Sequence, residues 1–218
     1  FNVEFIHVNH SIPGAYALAI TTPVGLVYVS GDFKIDFTPI AGDTTNLSRI
    51  GELGQKGVLL MMCESTNIER PGMAMSERVV GDTLAQIFEE SKTNRLIITS
   101  FASNVHRVQQ IMDLARKYNR KVAFSGRSMI NTMELAMKIG EIKFDHKLIV
   151  YFGRVDKYAD NEILILATGS QGQEHTALDR MVKGEIPNLK IGSNDVVIFS
   201  SSPVPGNEKS VTNIINQL

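Results

Sequence analysis

The chain has 218 residues, 43% hydrophobic and 21% charged, with a formal net charge of −1, proportions of an ordinary globular protein of one large or two small domains. That charge excludes a globally basic nucleic-acid or membrane-surface protein, so a polyanion has to be met by a local patch or by backbone amides. The single cysteine, Cys63, excludes an internal disulfide and suits a reducing compartment, and no apolar run approaches the roughly 20 residues of a membrane span.

Val3 to Val8 and Ala15 to Ser30 read as strands, the latter hinged at Pro23-Val24-Gly25. Such a pairing brings His10 and Asp32 to one rim of a sheet, the raw material of a metal or acid/base site. A helix follows from Asn46 with Leu47, Ile50 and Leu53 on one face. Val58 to Cys63 reads as a buried strand with a structural thiol. Glu64 to Met75 is polar and turn-rich, and the domain boundary is placed there, giving domains 1–75 and 76–218.

From Ser76 the pattern alternates. Ser76 caps a helix carrying Val80, Leu84, Ile87 and Phe88; Leu96 to Thr99 is a strand; Asn104 caps a helix carrying Val108, Ile111, Met112 and Ala115. Val122 to Phe124 is a strand, and Ser128 caps a helix with Thr132, Leu135, Ala136 and Ile139 inward. Lys147 to Tyr151 and Glu162 to Ala167 read as strands, Glu174 to Lys183 as a helix, Asp195 to Ser200 as a strand, and Asn207 opens a last helix. Strand–helix alternation of this kind implies a parallel sheet covered on both faces.

The loops after those strands are built from Gly and hydroxyl residues and feed helix N-termini: Ser100 to Asn104, Ser125 to Ser128, Thr168 to Gly172 and Ser200 to Asn207. In a parallel sheet they share the carboxyl edge, where ligands bind, and helix N-termini favour anions. A row of such loops suggests a polynucleotide or a large phosphorylated ligand, with Arg107 and Arg127 the nearest basic side chains. No G-x-x-x-x-G-K-[ST] word occurs, so nucleotide hydrolysis has no motif behind it.

With these words in order, namely Val8-Asn9-His10-Ser11-Ile12-Pro13, Gly31-Asp32-Phe33-Lys34, Glu64-Ser65-Thr66-Asn67, Phe101-Ala102-Ser103-Asn104, Gly126-Arg127-Ser128-Met129, Thr168-Gly169-Ser170-Gln171-Gly172 and Ser200-Ser201-Ser202-Pro203, the chain resembles the ribonuclease J family. These are metallo-β-lactamase proteins with an inserted β-CASP domain. The resemblance implies an α/β fold: part of a metallo-β-lactamase αββα sandwich over 1–75, then a β-CASP domain over 76–218 with a mostly parallel sheet flanked by helices.

It further implies a cytoplasmic zinc-dependent ribonuclease of RNA processing and decay, acting 5′-to-3′ from a 5′-monophosphate end and by internal cleavage. Water would attack phosphorus beside two zinc ions, or manganese. His10 and Asp32 match metal ligands, and Glu64 a supporting acidic position. Ser100, Ser103, Asn104, Arg107, Gly126, Arg127, Ser128, Gly169, Ser170, Gln171, Ser201 and Ser202 match stretches that face RNA. The family's H-x-H-x-D-H word, which supplies most ligands, is absent from the chain, as are its later His segments. The expectation is therefore an inactive fragment without stoichiometric zinc, from a parent that assembles as a homo-oligomer or with a paralogue. The alternatives are a non-catalytic RNA-binding or assembly paralogue and an unrelated nucleotide-binding α/β domain.

Overall fold

A computed structural model describes residues 1–143 and 145–218. The chain divides into two compact units, 1–82 and 83–218.

In the first unit β1 (Asn2–His7), β2 (Tyr16–Thr22) and β3 (Gly25–Val29) pair antiparallel, and β4 (Leu60–Met62) adds parallel to β3. Alternation puts Ile6, Val8, Ala17, Ala19 and Tyr28 on one face, where they pack with Leu53 of α1 (Leu47–Lys56). Asn46 caps that helix, its side chain accepting from the Arg49 amide. The stretch expected to be a buried strand is instead an exposed three-residue edge: Leu60, Met61, Met62 and Cys63 are all exposed. Uniform apolarity reports hydrophobic side chains, not what covers them.

Helix α2 (Glu77–Glu90) contains the division between the units. Compactness divides the chain past Met75 because the first turn of α2 is tied backwards. The buried Asp36 accepts from the Glu77 amide at 3.0 Å, and Thr38 and Ser76 exchange hydrogen bonds.

The second unit is a four-stranded parallel sheet, β6 (Lys121–Ser125), β7 (Ile163–Ala167), β5 (Arg95–Thr99) and β8 (Asp195–Phe199) in spatial order. The central strands read Leu-Ile-Ile and Ile-Leu-Ile-Leu-Ala because both faces are covered. Ile97, Ala123, Ile163 and Ile165 share one cluster with Val155, Leu189 and α5 (Ala177–Val182). Helices α3 (Val105–Lys117) and α4 (Arg127–Lys138) pack beside β6, and α6 (Glu208–Ile215) closes the chain. Among the described residues no helix is long and apolar enough to cross a membrane.

Some details differ from the sequence reading. Lys147 to Tyr151 forms a 3-10 turn (His146–Leu148) and a single bridge from Ile149 to Val122, not a strand. Helix α4 begins one residue before Ser128, with Gly126 at the cap position and no side-chain cap. Its buried stripe is Met129, Met133 and Ala136, leaving Leu135 and Ile139 exposed.

At the amino edge of the sheet Arg120 is almost fully buried, with no carboxylate partner among the described residues. Its guanidinium donates to the carbonyls of Ser91 and Asn94 at 2.7 Å and of Asp160 and Ile163 at 3.3 Å. Burial lowers its pKa. Arg120→Met strands those carbonyls and is expected to lower the unfolding free energy by about 3 kcal/mol or more in urea titrations. Arg120→Lys, with fewer donors, should restore only part of it.

Candidate functional site

The strand register sets the geometry of the carboxyl edge. Ser125, Ala167, Thr99 and Phe199 lie side by side across the sheet, and the ladder continues one step further through Thr168 N to Ser125 O, Ser100 N to Ala167 O and Ser200 N to Thr99 O. The four Gly- and Ser-rich loops therefore leave the sheet at one level.

Over β5, β7 and β8 the loops are locked to one another. Gln171 is buried; its Nε2 donates to Ser201 Oγ at 3.2 Å and Ser202 O at 3.1 Å, and its Oε1 accepts from Val204 N at 2.7 Å and Asn207 Nδ2 at 3.4 Å. Arg107, also buried, donates through Nη1 to the carbonyl (2.6 Å) and hydroxyl (2.8 Å) of Ser200. Asn104 caps α3 by accepting from the Arg107 amide. Ser100 is 2% exposed and its hydroxyl is unpartnered among the described residues. Gly169, Ser170 and Gln171 form a run of buried residues.

The glycines have packing reasons. A Cβ on Gly126, whose φ is +104°, would strike the Thr168 hydroxyl, and one on Gly172 would strike the Ser210 carbonyl. Of the residues expected to face a ligand, Ser103, Arg127, Ser128 and Ser202 are exposed and Ser201 is half-buried.

Toward β6 and β7 the edge opens into a cleft of about 980 Å³. It contains residues the sequence reading did not single out, among them Tyr151, His175 and Arg180. Tyr151 was hidden by being read as a strand end. The backbone of His175, at φ +60°, is held by the Asp179 carboxylate, which accepts from its amide at 2.8 Å and pairs with Lys183 at 2.9 Å. Burial pushes the Asp179 carboxyl up, but the Lys183 ammonium and the His175 amide outweigh it and hold its pKa below the usual value.

In the first unit the turns after β1 and β3 meet through an Asn9–Lys34 bridge. They bring His10 Nε2 to 4.0 Å from Asp32 Oδ2, an ion pair when His10 is protonated. Glu64 sits by this rim. The Thr66 hydroxyl and amide (2.6 Å), then the Phe33 amide and the His10 ring, lower its pKa against desolvation. Zinc takes three or four N, O or S donors at about 2.0–2.3 Å. The His10–Asp32 pair offers two, and among the described residues no group of three or more His, Cys, Asp or Glu is placed to hold a metal. These residues by themselves do not make a zinc site. His7 instead hydrogen-bonds the Asp43 carbonyl.

Comparison with known proteins gives a match of residues 93–218 to the family model described as "Ribonuclease J, beta-CASP domain". Across all 218 residues the chain is 47% identical to a ribonuclease J of Synechocystis sp., 45% to one of Corynebacterium glutamicum and 42% to one of Helicobacter pylori, covering 34%, 30% and 31% of their lengths. The chain thus spans about a third of these curated relatives. A crystal structure of a protein of unknown function from Enterococcus faecalis V583 shares the fold, with a TM-score of 0.52 and 19% identity over 75% of this chain and 40% of that one.

Two outcomes test the loop architecture. Gln171→Met is expected to accelerate amide exchange at Ser202 and Val204 while β5 and β7 stay protected. The Asp179 carboxyl, with its folded pKa depressed, stabilises the 173–176 loop above about pH 4 and loses that effect as pH falls through the folded value. Exchange in 173–176, corrected for its intrinsic rate, should accelerate there, and Asp179→Asn should show the acceleration at neutral pH.

Proposed function

The chain belongs to the family of the ribonuclease J β-CASP domain, and we propose that it serves RNA cleavage by holding a single strand along the carboxyl edge of β6, β7, β5 and β8. The observation that carries this reading is the common level at which four Gly- and Ser-rich loops leave the sheet. A strand with one negative charge per nucleotide needs repeated anion contacts along a line, which such loops and helix N-termini supply. Ser103, Arg127, Ser128, Ser201 and Ser202 are the contacts in this proposal. Ser100, Asn104, Arg107, Gly126, Gly169, Ser170 and Gln171 set the positions of those contacts from beneath.

For the longer protein in which this chain works, the proposed reaction is phosphodiester hydrolysis of RNA, from a 5′-monophosphorylated end and internally, in rRNA processing and mRNA decay. His10 and Asp32 are proposed as two ligands of a zinc or manganese centre that requires further donors, with Glu64 supporting the rim. A cytoplasmic location and assembly with another copy or a paralogue belong to the same proposal.

A length series of 5′-phosphorylated oligoribonucleotides at two salt concentrations tests the binding reading. Affinity is expected to rise from the mononucleotide to about ten nucleotides and to fall with salt, and Arg127→Ala to reduce the salt slope by about one phosphate equivalent without loss of thermal stability. A mononucleotide bound as tightly as the longer chains refutes it.

A further inference from the structure

The cleft beyond β6 and β7 has the chemistry of a nucleotide pocket. Ser125, Arg127, Tyr151, Thr168, His175 and Arg180 are among its lining residues, and no Asp or Glu is among them. Ser125 is 6% exposed and lines the cleft. Next to it in sequence, the N-terminus of the twelve-residue α4 has no side-chain cap, because Gly126 occupies the cap position. Its positive dipole end and first amides are open to an anion.

The cations are available. Arg127 makes no ion pair among the described residues. Arg180 reaches Glu185 at 3.8 Å with both side chains half exposed, a pair a phosphate can displace at little cost. Two non-glycine residues of positive φ, His175 (+60°) and Asn188 (+63°), line this same cleft. Unfavourable backbone of this kind gathers where a ligand is held.

Tyr151 gives the pocket its second character. It is 77% exposed, far from the usual state of an aromatic ring, and its ring rests on Gly153, where a Cβ would come within 2.6 Å of Cε1. The ring is thus seated on backbone while remaining open to solvent. The cleft is also far roomier than a phosphate needs. An aromatic platform beside a cationic, carboxylate-free helix N-terminus suits a base joined to a phosphate.

We infer that this cleft holds one nucleotide of the bound single strand. Its phosphate lies at the α4 N-terminus on Ser125, Arg127 and Ser128, its base against Tyr151, and the next phosphate toward Arg180. This rests on the reading of the carboxyl edge as an RNA-binding surface. Stacking on a ring discriminates little among bases, so the pocket grips any sequence.

The test compares a ten-nucleotide 5′-phosphorylated oligoribonucleotide with a ribose-phosphate chain of the same length and charge that lacks bases, both by fluorescence anisotropy. Tyr151→Ala is expected to lower the ratio of the two affinities about tenfold, the effect of losing one stacked base. Tyr151→Phe should keep the ratio, and Gly153→Val, which displaces the ring, should lose it. Arg127→Ala should weaken both chains and leave the ratio unchanged. A ratio untouched by Tyr151→Ala overturns the nucleotide pocket and leaves the edge reading in place. Wild-type protein that binds neither chain overturns both.

Discussion

The carboxyl edge depends on one buried amide. Gln171 leaves the end of β7 and bonds to the chain that leaves β8, although β5 lies between those strands. The bridge therefore passes across the end of the central strand, where Ser100 begins its loop. Both donors and both acceptor positions of the amide are engaged, so another arrangement of the 200–207 segment leaves buried polar atoms unpaired. Arg107 adds a second tie to Ser200 from below. Loops rich in Gly and Ser are ordinarily pliant; here their conformation is set by side chains that never need to meet a ligand.

The opposite edge of the sheet solves a different problem. Arg120 gathers carbonyls from two segments, 91–94 and 160–163, and Arg95 pairs bidentately with Asp195 across β5 and β8 at 2.6 Å. Basic residues are thus divided by environment. Arg120, Arg95 and Arg107 hold the framework, while Arg127 and Arg180 stand at the cleft. A net charge near zero conceals this division, because it sums cations that are committed with cations that are available.

Much of this was legible in the sequence. Alternating apolar runs gave the parallel sheet, Asn104 announced its helix, and the shared composition of four loops located the edge. Other features were not legible, for physical reasons. Arg107 stands three residues after a helix cap, where sequence suggests a solvated face; only tertiary packing directs it inward to Ser200. Ser128 looks like a cap, but a positive-φ Gly126 packed on Thr168 starts the helix earlier. Tyr151 sits in an apolar stretch that a period-two pattern cannot tell from a strand. His175 and Asn188 adopt left-handed backbone that residue type permits without requiring. The meeting of His10 with Asp32 was readable from the strand pairing, whereas the exposure of β4 was not.

The two candidate sites also differ in how they tolerate incompleteness. A metal centre is close to all-or-none: an ion held by an imidazole and one carboxylate has most of its coordination sphere filled by water and dissociates readily. The His10–Asp32 rim, whatever its chemistry in a longer protein, acquires it only when further donors converge. Binding of a single strand is built from many modest and nearly local contacts, each an amide, a hydroxyl, a guanidinium or a ring. The loops that carry them are fixed by bonds within residues 83–218, from Gln171 to Ser201 and from Arg107 to Ser200. The second unit therefore carries the architecture of its proposed interface in its own fold.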